Sequence, residues 1–466
     1  MIVFGTDGWR GIIARDFTFE NLQMVALATA KYLKKIATNN PSVVIGYDTR
    51  FLSKEFAHIT AQILAWQDII VHITDTFSTT PQVSYHTKQK GADLGVVITA
   101  SHNPAIWNGF KIKASFGGPA TPDQIAEVEL ELKKIMQKPQ TYAFKEFDDY
   151  VTARKIRIFN AKESYLRYIK KKVSLPTIRE ANFRILYDPM HGAGINTLKT
   201  LLPDITEIHE TYNPSFGNLD HPEPIQEHLF DMIDIMKHGK YDIGIATDGD
   251  ADRVGAVDHE GSFVDSHKIF MILLKYLYEK KKKRGAVAKT VSLTSMVNKF
   301  CTKHEIPLYE TAVGFKYIAK IMNEEKIIIG GEESGGLGTC LHIPERDGVF
   351  NAMLLLEIMA VEHKSLKQLC DDLEEEFGIH RYYRRDVVVT AAQKKAILSA
   401  CQKGPKKLGR FEVIKIDTKD GFKFFVNDGW LLIRASGTEP LIRFYAEGDS
   451  MSKVSELLDE GIKLRK

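Results

Sequence analysis

Short β-branched runs that end in polar, glycine-bearing loops and then give way to a helical hydrophobic period recur along most of this chain. The run SVVIGYDTR (42–50) leads to a segment opening at Ser53 in which Phe56, Ile59, Ile63 and Leu64 fall on one face. Before it, Leu22, Val25, Ala26, Thr29, Leu33 and Ile36 repeat at helical spacing. Apolar residues three and four apart share a helix face, so the pattern predicts amphipathic helices on either side of a strand. The same grammar returns at GVVITAS (95–101), FRILYDPMHGAG (183–194), DIGIATDGD (242–250), AVAKTVSL (286–293) and KIIIGGEESGG (326–336). Strands alternating with helices predict α/β units with mainly parallel sheets covered on both faces. Ligands of such sheets sit beyond the carboxyl ends of the strands, and the polar loops are where chemistry is expected.

The tail reads differently. After about residue 375, HRYYRRDVVVT, RFEVIKIDT, GFKFFVND, GWLLIRAS and LIRFYAEG read as strands, with helical periods at 391–402 and 451–464. That mixture predicts a small α+β unit of antiparallel strands. The expected division is three successive α/β domains, 1–154, 155–258 and 259–374, followed by an α+β domain, 375–466. A chain of 466 residues suits about three or four domains, because single cores stop growing at a few hundred residues.

Composition narrows the function classes. Lys+Arg 63 against Asp+Glu 60 leaves a net charge of +3, too little to argue for a nucleic-acid partner. The one dense basic run, EKKKKRG (279–285), ends an apolar-periodic segment and reads as a solvated helix C-terminus. No apolar run approaches the roughly 18 residues of a membrane helix, and the N-terminal FGTDGWRG follows no signal-like region, which points to a cytoplasmic protein without membrane contact. Cys301, Cys340, Cys370 and Cys401 are too widely spaced for a zinc or disulfide framework and are expected as reduced thiols.

In TDGDADR (247–253), Asp248, Asp250 and Asp252 alternate after an apolar run. A tight loop at a strand end can aim three hard carboxylates at one centre, a suitable bed for Mg²⁺. An EF-hand is excluded, since its sixth position would be Arg253 rather than glycine and its twelfth His259 rather than glutamate. In VITASHNPAIWNGFKI (97–112), Ser101 lacks the flanking glycines of a hydrolase elbow, because Thr99 and Asn103 stand there. Ser101 is either a phosphoryl carrier at a strand end or part of a turn closed by its own side chains.

RASGTEPLIR (434–443) supplies two guanidinium forks, two hydroxyls and a flexible backbone, a composition suited to phosphate. GGEESGG (330–336) offers carboxylates and a serine that suit sugar hydroxyls or simply a surface loop, and Lys316 of TAVGFKYI (311–318) offers a cation. GAGINT (192–197) lacks the third glycine of a dinucleotide fingerprint, and GPKKLGRF (404–411) lacks the Lys-Ser/Thr pair of a P-loop.

Taken together, TASHNPAIWNGFKI, DGDADR, GEESGG and RASGTEP, in this order over the whole chain and preceded by FGTDGWRG, resemble the α-D-phosphohexomutase family. The resemblance implies four domains around a central cleft, each giving one loop. It implies that Ser101 is the phosphoserine and that Asp248, Asp250 and Asp252 hold Mg²⁺ together with its phosphate. Arg10 and Arg253 would bind the phosphoryl group, and Glu332, Ser334 and Lys316 the sugar side of the cleft. Arg434, Ser436, Gly437, Thr438 and Arg443 would hold the phosphate that is not transferred.

The reaction so implied moves phosphate between the 1- and 6-positions of a hexose through a hexose 1,6-bisphosphate. Lys111 and His102 are the candidates for base and acid, Lys111 on the expectation that cationic surroundings lower its pKa. Some family members end the sugar loop in histidine, as GEMSGH, where this chain has Gly336. GEES is similar to the loop of phosphoglucomutases, which favours glucose phosphates over mannose or glucosamine phosphates. Two other readings compete: a metal-dependent sugar phosphatase, and a regulator that binds sugar phosphates without turnover. Small-molecule sugar phosphates are the expected partners, and the state of assembly stays open between monomer and dimer.

Overall fold

The computed structural model describes residues 2–138, 142–435 and 441–464. Continuous apolar runs build its first layer: Ser42–Tyr47, Ile70–Thr74 and Leu94–Ile98 pair in parallel, and every residue of Leu94–Ile98 is buried. Strands of that kind need cover on both faces, and helices supply it. The helix Phe19–Ile36, capped by Thr18, buries Leu22, Val25, Ala26, Thr29 and Leu33. The helix Ser53–Trp66 buries Phe56, Ile63 and Leu64. Ile36 and Ile59 are the weak members of the two predicted faces, the first exposed and the second half-buried.

Two short strands lie across the expected divisions. Ile156–Phe159 adds to the first sheet by parallel pairing with Ile70–Thr74, so that sheet runs past residue 154. Phe263–Val264 folds back onto Val254–Asp258, carrying the second sheet past 258. The helix Leu366–Phe377 crosses residue 374 without a break. The sequence pattern predicts none of these three elements, and which sheet an edge strand joins is a matter of pairing.

A shared topology positions the loops of interest. In the first three sheets a strand from the parallel part is followed by a polar loop and then by an antiparallel neighbour. Leu94–Ile98 precedes Trp107–Ala114, Ile243–Thr247 precedes Val254–Asp258, and Ile327–Gly331 precedes Leu337–Thr339. In the fourth sheet, antiparallel throughout, Gly429–Ala435 and Leu441–Gly448 are likewise partners. The loops of the first three sheets therefore leave the carboxyl end of a sheet strand and return beside it.

The helix Gly348–Glu362 is apolar nearly all round and buried from Gly348 to Ala360, which places it in a core shared by the second and third sheets. The basic run ends a helix as expected, since Ser266–Lys275 continues into the π-helical turn Tyr276–Lys280. Its lysines are not merely solvated: Lys280 pairs with Glu362 at 3.1 Å and Lys281 with the buried Glu357 at 2.7 Å. The fourth sheet packs one face on the helices Ala391–Gln402 and Met451–Lys463. Trp430, Leu432 and Tyr445 on the other face meet Val291 and Val313 of the third unit. Among the described residues no helix is long and apolar enough to cross a membrane, and all four cysteines are free.

Candidate active site

Ser101 lies just past Leu94–Ile98, buried and with a φ of 56°. A non-glycine residue keeps that left-handed backbone only where its surroundings impose it. Its N–H donates to Thr99 Oγ1 at 2.8 Å, while its Oγ donates to Asp248 Oδ2 at 2.8 Å. The hydroxyl thus reaches the second unit instead of closing its own turn. His102 Nδ1 lies 3.4 Å from the same Oγ. Burial holds the His102 ring well below its ordinary pKa, and Arg253 and Arg10 add repulsion, so the ring is neutral. Arg10 donates from Nη1 to Asn103 Oδ1 at 2.5 Å.

The aspartate loop curls on itself, Asp248 Oδ1 accepting the N–H groups of Asp252 at 2.9 Å and Arg253 at 3.1 Å. One carboxylate oxygen from each of Asp248, Asp250 and Asp252 lies within 4.8 Å of the others. Asp250 Oδ2 accepts from Thr80 Oγ1 at 2.5 Å and from Lys111 Nζ at 2.8 Å. Asp250 Oδ1 and Asp252 Oδ1 are buried without a hydrogen-bond partner. Orphaned anionic oxygens are costly in a dry site, and three hard oxygen donors with two valences open fit a divalent cation. Burial, reinforced by Asp250 and Asp252, pushes the Asp248 carboxyl well above its ordinary range. Burial acts on Asp250 in the same sense but is outweighed by Lys111 and the Thr80 bond, which hold it low. A Cβ at Gly249 would stand 2.4 Å from the Ser101 carbonyl oxygen, so only glycine lets the two loops meet.

Lys111 corrects an expectation. Its fully buried Nζ faces Asp250 Oδ2 at 2.8 Å, Asp7 Oδ2 at 2.9 Å and Asp252 Oδ2 at 3.2 Å. Burial alone would lower its pKa, but Asp250, Asp252 and Asp7 together raise it, so its surroundings are anionic and it stays charged. Arg253 is likewise buried against carboxylates, with Nη1 2.7 Å from Glu223 Oε1.

Arg346 joins three of the units. Its Nη2 pairs with Asp7 of the N-terminal loop and with Asp252 Oδ2 at 2.6 Å, and Nη1 lies 3.4 Å from Glu332 Oε2. Burial pushes the Glu332 carboxyl up to about 7, with Arg346 opposing. Any side chain at position 336 would come within 2.3 Å of Arg346 Cδ, so the guanidinium arm fills the space beside the loop where Gly336 departs from histidine. Glu333 turns the other way and accepts from Ser292 Oγ at 2.5 Å. Ser334 is half-buried in the same loop. Burial lowers the Lys316 pKa against the pull of Asp7, and its Nζ lies 5.5 Å from the centroid of the Tyr317 ring.

In the fourth unit, pairing places Arg434 opposite Arg443 and Arg384 opposite Tyr445. Arg434 Nε donates to Asp420 Oδ2 at 2.8 Å, Arg443 Nε lies 3.4 Å from Asp386 Oδ2, and Arg384 grips Asp386 at 2.8 and 2.7 Å. Like charges facing across a sheet repel, and an anion between them relieves it. Ser436, Gly437 and Thr438 lie outside the described residues. Tyr383 OH donates to Glu227 Oε1 at 3.0 Å, a contact from the fourth unit to the second.

Ser101, His102, Arg10, Lys111, the three aspartates, Arg253 and Glu332 are thus brought together. Sequence reasoning missed Asp7, Thr80, Glu223, Arg346 and Arg384. The charges of PERD (344–347) directly before the apolar GVFNAMLLLEIMA (348–360) were the one available signal for Arg346. Charge beside a segment that must be buried has to find partners.

Family models for the phosphoglucomutase/phosphomannomutase α/β/α domains I, II and III match residues 1–139, 163–261 and 265–377, and the C-terminal domain model matches 389–464. A phosphoglucomutase/phosphomannomutase of Thermococcus kodakarensis is 31% identical over 99% of this chain and 98% of its own. A phosphoglucosamine mutase of Carboxydothermus hydrogenoformans is 31% identical over 98% of both chains. The crystal structure of a Thermus thermophilus protein assigned as a phosphomannomutase superposes with a TM-score of 0.87 at 31% identity, covering 99% of this chain and 98% of that one.

Proposed function

This chain belongs to the phosphoglucomutase/phosphomannomutase family, the α-D-phosphohexomutases, and from that premise we propose that it interconverts glucose 1-phosphate and glucose 6-phosphate. The reaction runs through a phosphoserine at Ser101 and glucose 1,6-bisphosphate. The observation that carries this reading is the 2.8 Å bond from Ser101 Oγ to Asp248, at the edge of a three-carboxylate cluster with two orphaned oxygens. Asp248, Asp250, Asp252 and Ser101 hold Mg²⁺, which neutralises charge on the transferring phosphoryl group when bound.

Phosphoryl transfer depends chiefly on positioning and charge. Arg10, bonded to Asn103, and Arg253, with Nε 3.8 Å from Asp248 Oδ2, take the phosphoryl oxygens. Arg434, Ser436, Gly437, Thr438 and Arg443 hold the other phosphate, while Glu332, Ser334 and Lys316 receive the sugar. Phosphoserine 101 gives its phosphoryl to the free hydroxyl of the hexose monophosphate. The bisphosphate turns in the cleft, and its other phosphate returns to Ser101. Lys111, held as a cation by three carboxylates, is a poor base at neutral pH and serves as a fixed positive charge. The neutral His102 ring, 3.4 Å from Ser101 Oγ, is placed to hydrogen-bond that hydroxyl and orient it.

The glucose preference rests on GEES, and the relatives divide among glucose, mannose and glucosamine phosphates, so a mannose or mixed mannose/glucose mutase is the second reading. The protein works in the cytoplasm on small molecules. The test is mutase turnover of glucose 1-phosphate, mannose 1-phosphate and glucosamine 1-phosphate in parallel, each with Mg²⁺ and a trace of the matching 1,6-bisphosphate. Glucose 1-phosphate is expected to turn over fastest; a faster mannose or glucosamine substrate would overturn the sugar assignment. Ser101→Ala is expected to lose about 10³-fold or more, as loss of a nucleophile does elsewhere. EDTA should abolish turnover and added Mg²⁺ restore it. Steady release of inorganic phosphate without isomerised product would favour a phosphatase.

A further inference from the structure

We propose that Arg50 is the positioning residue that sets Ser101 for phosphoryl transfer, an inference that rests on the function proposed above. Arg50 ends the turn YDTR (47–50), is buried, and directs its guanidinium into a single loop. Nη2 donates to the carbonyls of Ser101 and Asn103, each at 2.6 Å. Nη1 donates to those of Pro104 at 2.8 Å and Trp107 at 3.0 Å. Nε donates to Asp48 Oδ2 at 3.1 Å. The whole donor set of the fork is engaged.

Asp48 completes the grip from the other side of the loop. It accepts from Thr99 Oγ1 at 2.6 Å and from Ser53 Oγ at 2.8 Å, and Thr99 Oγ1 in turn accepts the Ser101 N–H. The backbone of Ser101 is therefore held at its N–H through Thr99 and Asp48, and at its carbonyl by Arg50. Phe216 of the second unit covers the guanidinium, its ring centroid 4.8 Å from Cζ.

Four carbonyl dipoles converging on one point repel unless a cation with several fixed donors stands between them. A planar guanidinium meets that geometry, whereas an ammonium has three donors and no fork. The held carbonyl of Ser101 is also the atom against which Gly249 packs. Arg50 thus governs the distance from Ser101 Oγ to Asp248 as well as the left-handed φ of Ser101.

The test compares wild type, Arg50→Lys and Asp48→Asn by steady-state kinetics with glucose 1-phosphate and by amide hydrogen exchange. Arg50→Lys is expected to lower kcat about 10²-fold, the loss that follows a displacement of about 1 Å at a reacting atom, with KM changed less than about twofold. Asp48→Asn, which keeps the shape and weakens the anchor, should fall between the two. Exchange within residues 99–107 should quicken in Arg50→Lys while the rest of the chain exchanges as in wild type. Unchanged exchange in that loop, or kcat within about twofold of wild type, overturns the proposal. Faster exchange throughout the first unit with kcat and KM failing together would overturn it in favour of a general structural role. If wild type itself shows no turnover, the proposed function falls, and the exchange comparison still decides whether Arg50 grips the loop.

Discussion

Burial pushes the Glu332 carboxyl up to about 7 even with the Arg346 guanidinium beside it. An ionised carboxylate accepts a sugar hydroxyl more strongly than the neutral acid does. KM for glucose 1-phosphate is therefore expected to rise as the pH falls through about 7. In Glu332→Gln, neutral at every pH, that inflection should vanish, and the phosphate's own titration, common to both proteins, cancels in the comparison. Identical KM profiles for the two would refute the assignment. The stability contribution has the matching sign: a carboxyl raised in the folded state favours folding at low pH, and that advantage is lost as the pH climbs through about 7. The alternating aspartates were legible in the sequence because their spacing is itself chemical, whereas Ser101 stood open between a carrier and a turn until the family resemblance was added. Arg346, Asp7 and Thr80 were not, since a single charged or hydroxyl residue in a loop carries no pattern until its partners are known.

Between elements, the decisive contact is that of two loops leaving different sheets. Gly249 is the residue that allows it, standing against the Ser101 carbonyl on one side and Gly192 on the other. Gly249→Ala must push the aspartate loop away from the serine loop by several tenths of an ångström or more. About a 10²-fold loss of kcat is expected, with a higher Mg²⁺ concentration needed for half-maximal rate. Titration of the rate with Mg²⁺ checks this, and wild-type values would show that the loops have slack. Helices and buried strands could be read beforehand because hydrophobic period and run length are local properties. The edge strands Ile156–Phe159 and Phe263–Val264 were not legible, because runs of four and two residues carry little period and their partners lie elsewhere in the chain.

Across the whole molecule, buried ion pairs tie the units into one cleft. Lys113 Nζ meets Glu345 Oε2 at 2.7 Å with both side chains fully buried, and Ser84 Oγ donates to the same oxygen at 2.8 Å. Lys113→Met strands a buried carboxylate and should destabilise the protein by about 3–5 kcal/mol, read as a lower midpoint of thermal unfolding. The double variant Lys113→Met/Glu345→Leu should recover most of that loss, because desolvation of the pair offsets much of its attraction. A single variant that melts like wild type would mean the junction does not depend on the pair. The sequence by itself determined the α/β and α+β character, the polar loops at strand ends and the chemistry each loop can offer, because periodicity and motif spacing act over a few residues. Only the tertiary structure decided which loops face one another, how Lys111 comes to be surrounded by anions, and that Arg346 bridges Asp7, Asp252 and Glu332. Those contacts join residues as far apart as 339 positions in the chain, and the desolvation and Coulomb energies that govern them depend on distance in space.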